Sequence, residues 1–234
     1  MKTGHALTIG VGLAIAALIF GLFFYSARVS EDTISVVGAA TKRFDSDIVK
    51  WRITTSRNTG LDNVSSGYTK IQEDLQFLKK VLAEKGFAEQ EISIQPTNTT
   101  PTYSREGQVS GYTLNQGVYL ITSNITAAEE LALNPVSLIE RGIVLQNSNL
   151  EYLNSKLSDI KMELLAEATK DARRRAEEIA RASSVSLGNI TSAKTGVFQI
   201  NEPFSNEVSD YGMYNTQTKQ KDITVTVRAS FKIR

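Results

Sequence analysis

The chain has no cysteine in 234 residues. Disulfides, thiolate nucleophiles and zinc–thiolate sites are therefore excluded. There is one histidine, His5, at the edge of an apolar run. With no second histidine and no thiol, the remainder cannot assemble a nucleophile–histidine triad. Charge of either sign is also missing in excess: 26 basic side chains face 25 acidic ones, for a net charge of +1. Such a balance gives the whole chain no large bias towards nucleic acid or towards an acidic membrane surface. The sequence contains no GxSxG elbow, HExxH helix, phosphate-cradling glycine loop or EF-hand loop. No cofactor and no metal is expected.

The most conspicuous feature present is a run without charge from Ala6 to Tyr25, ALTIGVGLAIAALIFGLFFY. It has about the 20 residues that a helix needs to cross a hydrocarbon core. A signal peptide is the competing reading, with Lys2 as its basic start. The apolar stretch is longer than the 7–15 residues typical of a signal, however, and Tyr25 or Phe24 stands where a small residue would favour cleavage. Residues 1–28 are therefore expected to be a retained transmembrane anchor, and 33–234 a single exported domain. Lys2 and Arg28 balance one another, while Glu31 and Asp32 favour an N-terminus inside and the bulk of the chain outside. Gly10 and Ala14, Gly12 and Ala16, and Ala17 and Gly21 are spaced so that two spans can pack closely.

Beyond the anchor, periodicity predicts an α+β fold. Thr33–Ala40 reads as a strand, and in Ile48–Arg57 the residues Val49, Trp51, Ile53 and Thr55 alternate with polar neighbours. Val64, Tyr68, Ile71, Leu75, Leu78 and Leu82 mark a helix that stops at Lys85-Gly86. Glu91–Gln95 reads as a short strand, and Thr100–Ser123 as a hairpin turning near Glu106-Gly107. Thr126 and Glu129 have capping-box spacing, and Pro135 opens a further segment that ends at Arg141-Gly142. Strand signals follow at Ile143–Leu145 and Leu150–Leu153. A long helix is expected from Leu157 to Ser183, with Leu165, Ala168, Ala172, Ala176, Ile179 and Ala180 on one stripe. After a strand at Ser186–Val197, Gln199–Gln220 reads as a long loop. Ile223–Ile233 closes the chain as an alternating strand. The expected architecture is mixed β-sheets with long packed helices. The blocks Val64–Gln95 and Leu157–Val197 share a helix–turn–strand plan that allows a duplicated β-α-β unit.

Three groups of residues carry possible function. Asp45 and Asp47 flank a serine; paired carboxylates bind cations or transfer protons, although Asp-x-Asp is also ordinary in a polar turn. Arg173, Arg174 and Arg175 form a basic cluster interlaced with Asp171, Glu177 and Arg181, the pattern of a solvated helix face; subunit contact is the best functional alternative. Phe204, Tyr211, Met213 and Tyr214 lie among polar residues in the 199–220 loop, where they can anchor a partner or subunit or fold over their own core.

Certain segments have a familiar order: Ile34–Gly38 (ISVVG), Pro101-x-Tyr103 followed by Gly111-Tyr112, Gly142, Ala168–Ala180 (ATKDARRRAEEIA) and Ser186–Ile190 (SLGNI). In this the chain resembles the SIMPL-domain family, over essentially all of residues 33–234. The resemblance implies an exported bacterial envelope protein, assembly into large ring-like oligomers and a link to protection against oxidative stress. It brings no agreed catalytic residues, and a mammalian relative acts as a signalling adaptor. The chain departs from bacterial members in lacking a clear signal cleavage site, which favours tethering. The reading is a non-enzymatic, self-assembling protein of the bacterial inner membrane, with one span and the domain in the periplasm. An envelope adaptor using the 199–220 loop is the alternative. Expected partners are further copies, the membrane and an envelope protein, not nucleic acid.

Overall fold

The computed structural model describes residues 2–28 and 32–234. Helix α1 spans Lys2–Arg28, and strands β1 (Thr33–Asp45) and β2 (Ile48–Gly60) follow. Helix α2 (Val64–Glu84) leads to β3 (Ile92–Ile94), β4 (Asn98–Tyr103) and β5 (Val109–Thr122). Short helices α3 (Ile125–Leu133) and α4 (Val136–Glu140) precede β6 (Val144–Leu153) and the long α5 (Leu157–Ala182). The chain ends with β7 (Leu187–Thr195), β8 (Gln199–Asn201), β9 (Met213–Tyr214) and β10 (Gln220–Ile233).

These strands make two five-stranded sheets, so the fold is α+β. One has the order β3-β5-β2-β6, with β4 also on β5, and its pairs are all antiparallel. The other has the order β1-β10-β8-β9, with β7 also on β10. In it β8 runs antiparallel to β10 and parallel to β9, which makes this sheet mixed.

The chain forms two compact units. The larger comprises 39–168 and 195–226, the smaller 1–38, 169–194 and 227–234. In the larger unit, Val49, Trp51, Ile53 and Thr55 are buried on the predicted face of β2. Val49, Trp51 and Ile53 pack with Leu75, Leu78 and Leu82 of α2 and with Val118 and Leu120 of β5. Gly67 belongs to this packing, because a Cβ there would lie 3.0 Å from Leu114 Cδ1 and Thr59 Cβ. The α2 stripe shifts accordingly: Gly67 is buried, while Tyr68 is exposed and its hydroxyl meets Thr99 Oγ1 at 2.6 Å. In the smaller unit Ala172 and Ala176 of α5 meet Val36, Ala229 and Phe231. Alanines let a helix approach a sheet closely at the expense of buried area.

Several boundaries differ from the sequence reading, each for a local reason. The cap of α3 is Asn124, whose side chain accepts from Ala127 N at 3.2 Å; Thr126 lies inside the first turn and Glu129 is bonded elsewhere. Strand β6 is continuous, because a register shift opposite Thr54/Thr55 absorbs its polar middle as a bulge. The buried stripe of α5 steps by four through Leu164, Ala168, Ala172, Ala176 and Ala180, so Leu165 is half-buried and Ile179 exposed. The 199–220 segment contains β8 and β9 rather than loop alone. Among the described residues no helix is long and apolar enough to cross a membrane. Of the Ala6–Tyr25 run, the described side chains are those from Gly10 onward. His5 and Lys2 lie outside the described side chains.

Candidate interaction site

In the larger unit the segment between β8 and β9 is tied down by amide side chains. Gln199 Nε2 donates to Ser209 O at 2.6 Å, and Ser209 N donates back to Gln199 Oε1 at 3.3 Å. Asn201 Nδ2 donates to Glu207 O at 2.7 Å, and Asn215 Nδ2 to Glu202 Oε2 at 2.6 Å. Asn215 Oδ1 accepts from the backbone of Gln217 and Thr218, which sets the entry into β10. Side chains of this type satisfy loop backbone that has no ladder partner. Gly212, at φ 85°, closes the loop where a Cβ would sit 2.9 Å from Phe198 O.

On this frame Phe204, Val208 and Tyr211 point outward, 86%, 81% and 97% exposed. Phe204 has a φ of 66°, a left-handed conformation that costs a residue with a side chain about 1 kcal/mol or more. What holds it is visible beside it. The Arg43 guanidinium lies 4.5 Å from the Phe204 ring centre, and its two nitrogens reach the Asp222 carboxylate at 2.7 and 2.8 Å. This hydrogen bonding from Arg43 holds the Asp222 carboxyl below its usual range, and the Phe204 backbone N–H adds to the effect. Met213 is half-buried on β9, and Tyr214 is partly exposed. A cavity of about 480 Å³ adjoins the loop, with Val197, Gln199, Val208, Ser209, Asp210 and Thr224 in its lining.

The carboxylates singled out in sequence do different work. Asp47 accepts from Ser155 N at 2.7 Å and Ser155 Oγ at 2.5 Å, just ahead of α5. Burial pushes its pKa up, the two Ser155 bonds outweigh this, and the carboxyl ends below its usual value. Asp45 accepts from Gln220 Nε2 at 3.1 Å. Both carboxylates thus serve as turn ties. Among the described residues no group of three or more acidic or histidine side chains is placed to hold a metal ion.

Between them Ser46 accepts from Lys221 Nζ at 2.8 Å, a contact that sequence reasoning missed. Lys221 is fully buried and also donates to Tyr152 O at 2.6 Å. Burial brings its pKa down from 10.5 to about 8. An amine of that basicity beside a hydroxyl has the chemistry of a base–nucleophile pair. Its full burial and second bond make it a structural tie instead. The signal was available: the alternation of β10 at 223, 225 and 227 extends back to 221 on the inward face. Nearby the Tyr152 hydroxyl donates to Glu129, which also pairs with Lys219 at 2.5 Å. Burial, and then the Glu129 bond, raise the Tyr152 pKa.

The SIMPL family model, described as "Protein of unknown function (DUF541)", matches residues 34–232. The chain belongs to the SIMPL family. No curated protein matches it. The SIMPL match begins in β1 and ends in β10, leaving α1 outside.

Arg173 and Arg174 belong to the smaller unit and the aromatic loop to the larger one. Arg173 pairs with Glu177 at 2.8 Å, and Arg174 and Arg175 share Asp171 at 2.6 and 2.7 Å. Arg181 pairs with Glu178. The interlacing read from sequence is thus present as ion pairs on one helix face.

Proposed function

We propose that this SIMPL protein is a non-enzymatic envelope protein, tethered to the bacterial inner membrane by α1, whose domain self-associates in the periplasm through the 202–212 loop. The observation that carries this reading is the outward display of Phe204, Val208 and Tyr211 on a loop whose backbone is pinned from within. Apolar side chains that a pinned loop holds in water favour contact with another surface, and burying each is worth about 1.5–3 kcal/mol before association costs. A preorganised loop loses little entropy on docking, which makes such residues good anchors. A stress-protective role would follow from assembly, since a chain without cysteine has no thiol to oxidise.

The test is light scattering of the full chain in detergent at micromolar concentration. Discrete oligomers are expected, reduced to monomers by the combined changes Phe204→Ser, Val208→Ser and Tyr211→Ser. A wild-type monomer would overturn the proposal. The cavity beside Val208 favours a second reading, an adaptor that captures another envelope protein. In that case the triple variant keeps its oligomeric state and loses the captured protein.

A further inference from the structure

The net charge of +1 conceals a separation of charge. The smaller unit holds 11 basic against 5 acidic side chains, and the larger 15 against 20. Their net charges are +6 and −5, which recover the +1 of the whole. The basic unit is the one that carries α1. Every described side chain of α1 is uncharged and exposed, among them Leu13, Phe20 and Phe23 at 68%, 70% and 74%, so this helix has an apolar surface all round. Five residue steps join Arg28 at its end to Thr33 in β1, a reach of at most about 18 Å.

Beside β1 the same unit has a groove of about 470 Å³. Val36, Val37 and Ile179 give it apolar walls, and Arg174, Arg175 and Glu178 a polar rim. Arg174 and Arg175 share the Asp171 carboxylate, and Glu178 on the same rim pairs with Arg181, so these five groups together carry one positive charge. Guanidinium forks suit phosphate oxygens, and apolar walls suit the first methylenes of an acyl chain.

We propose that the smaller unit is a docking surface for anionic phospholipid headgroups of the bilayer that holds α1, with a lipid phosphate at Arg174 and Arg175. This rests on the tether proposed above. Each basic side chain near an anionic surface contributes on the order of 1 kcal/mol, within a Debye length. The larger unit, with its net charge of −5, has no such attraction to an anionic surface.

Because the chain lacks cysteine, a single introduced thiol reports on one place. The full chain carrying Ala182→Cys, labelled with an environment-sensitive dye, is reconstituted into phosphatidylcholine vesicles with or without about 30% phosphatidylglycerol. A blue shift is expected only with phosphatidylglycerol. It is lost at about 1 M NaCl, where the Debye length is roughly 3 Å, and in Arg174→Glu/Arg175→Glu. The same dye at Gln108→Cys in the larger unit stays unchanged. Identical Ala182→Cys spectra in both vesicles, with the protein floating with each, overturn the lipid site while leaving the tether intact. The same shift from inorganic phosphate without vesicles overturns lipid in favour of free anion. Failure to float with neutral vesicles removes the tether and this assignment with it.

Discussion

The two units are stabilised by opposite means. The larger buries Trp51, Ile53, Leu78, Leu82 and Leu120 completely, in a cluster of 15 buried apolar residues. The smaller has five in its own cluster, and three of them are alanines. A core of large side chains gains its stability from area removed from water, at about 25 cal/mol per Å². An alanine core gains less per residue and depends on the close fit of helix against sheet. The larger unit should therefore be sensitive to lost volume and the smaller to added volume.

The strongest test of that contrast is Trp51→Ala. Trp51 is 0% exposed and its Nε1 donates to Ser148 Oγ at 2.9 Å. A cavity of indole size and a lost donor should cost about 3–5 kcal/mol in urea denaturation. A loss below about 1 kcal/mol would show that this core collapses readily and would break the comparison. Next comes Ala176→Leu in the smaller unit. Three added carbons have no room between α5 and the sheet, and about 1–3 kcal/mol should be lost. An unchanged midpoint would mean the alanine layer has slack.

What was readable in the sequence follows the same division. The alternation of β2 and β10 was legible because one face of each is buried, and a period of two then has one phase. The α5 stripe was ambiguous because Leu164 and Leu165 offer two adjacent phases, and only the strict four-residue step of the alanines selects Leu164. Asn124 and Thr126 both carry cap signals two residues apart, and the choice depends on where the chain leaves β5. Strands β8 and β9 are three and two residues long, too short for any period, and arise from pairing with β10 and with each other. The aromatic loop was visible as composition, but its display was not, because its ties depend on tertiary placement of Gln199, Asn201 and Asn215. Lys221 was overlooked for a related reason: its partners lie 175 and 69 residues away in sequence.

Lys221 gives the next effect in size and belongs to the larger unit alone. Its folded pKa of about 8 lies below the 10.5 of an exposed lysine, so between those values the unfolded chain binds more protons. Stability must then rise with pH across that window, by about 2 kcal/mol from pH 8 to 10, while the full penalty for the buried charge applies below pH 8. Tyr152 titrates in the opposite sense, since its raised pKa makes the folded state hold its proton longer. The difference between wild type and Lys221→Met isolates the lysine. That difference should increase from pH 8 to 10 in thermal melts, and a flat one would remove the buried charge from the account.

The smallest effect on stability separates folding from function in the basic unit. Arg173 is largely exposed and pairs only across one helical turn with Glu177. Such pairs are worth roughly 0.3–0.5 kcal/mol, so Arg173→Ala should leave the melting curve almost unchanged. Near an anionic bilayer the same arginine should contribute about 1 kcal/mol to adhesion of the unit, more than it contributes to the fold. Arg173→Ala should therefore shift the salt concentration at which the Ala182→Cys signal is lost, while Arg57→Ala should not shift it. Arg57 sits in the acidic unit, and its fork is spent on the buried Asp74 at 2.5 and 2.8 Å. If both variants moved the salt midpoint equally, the division of charge between the units would have no bearing on where the protein adheres.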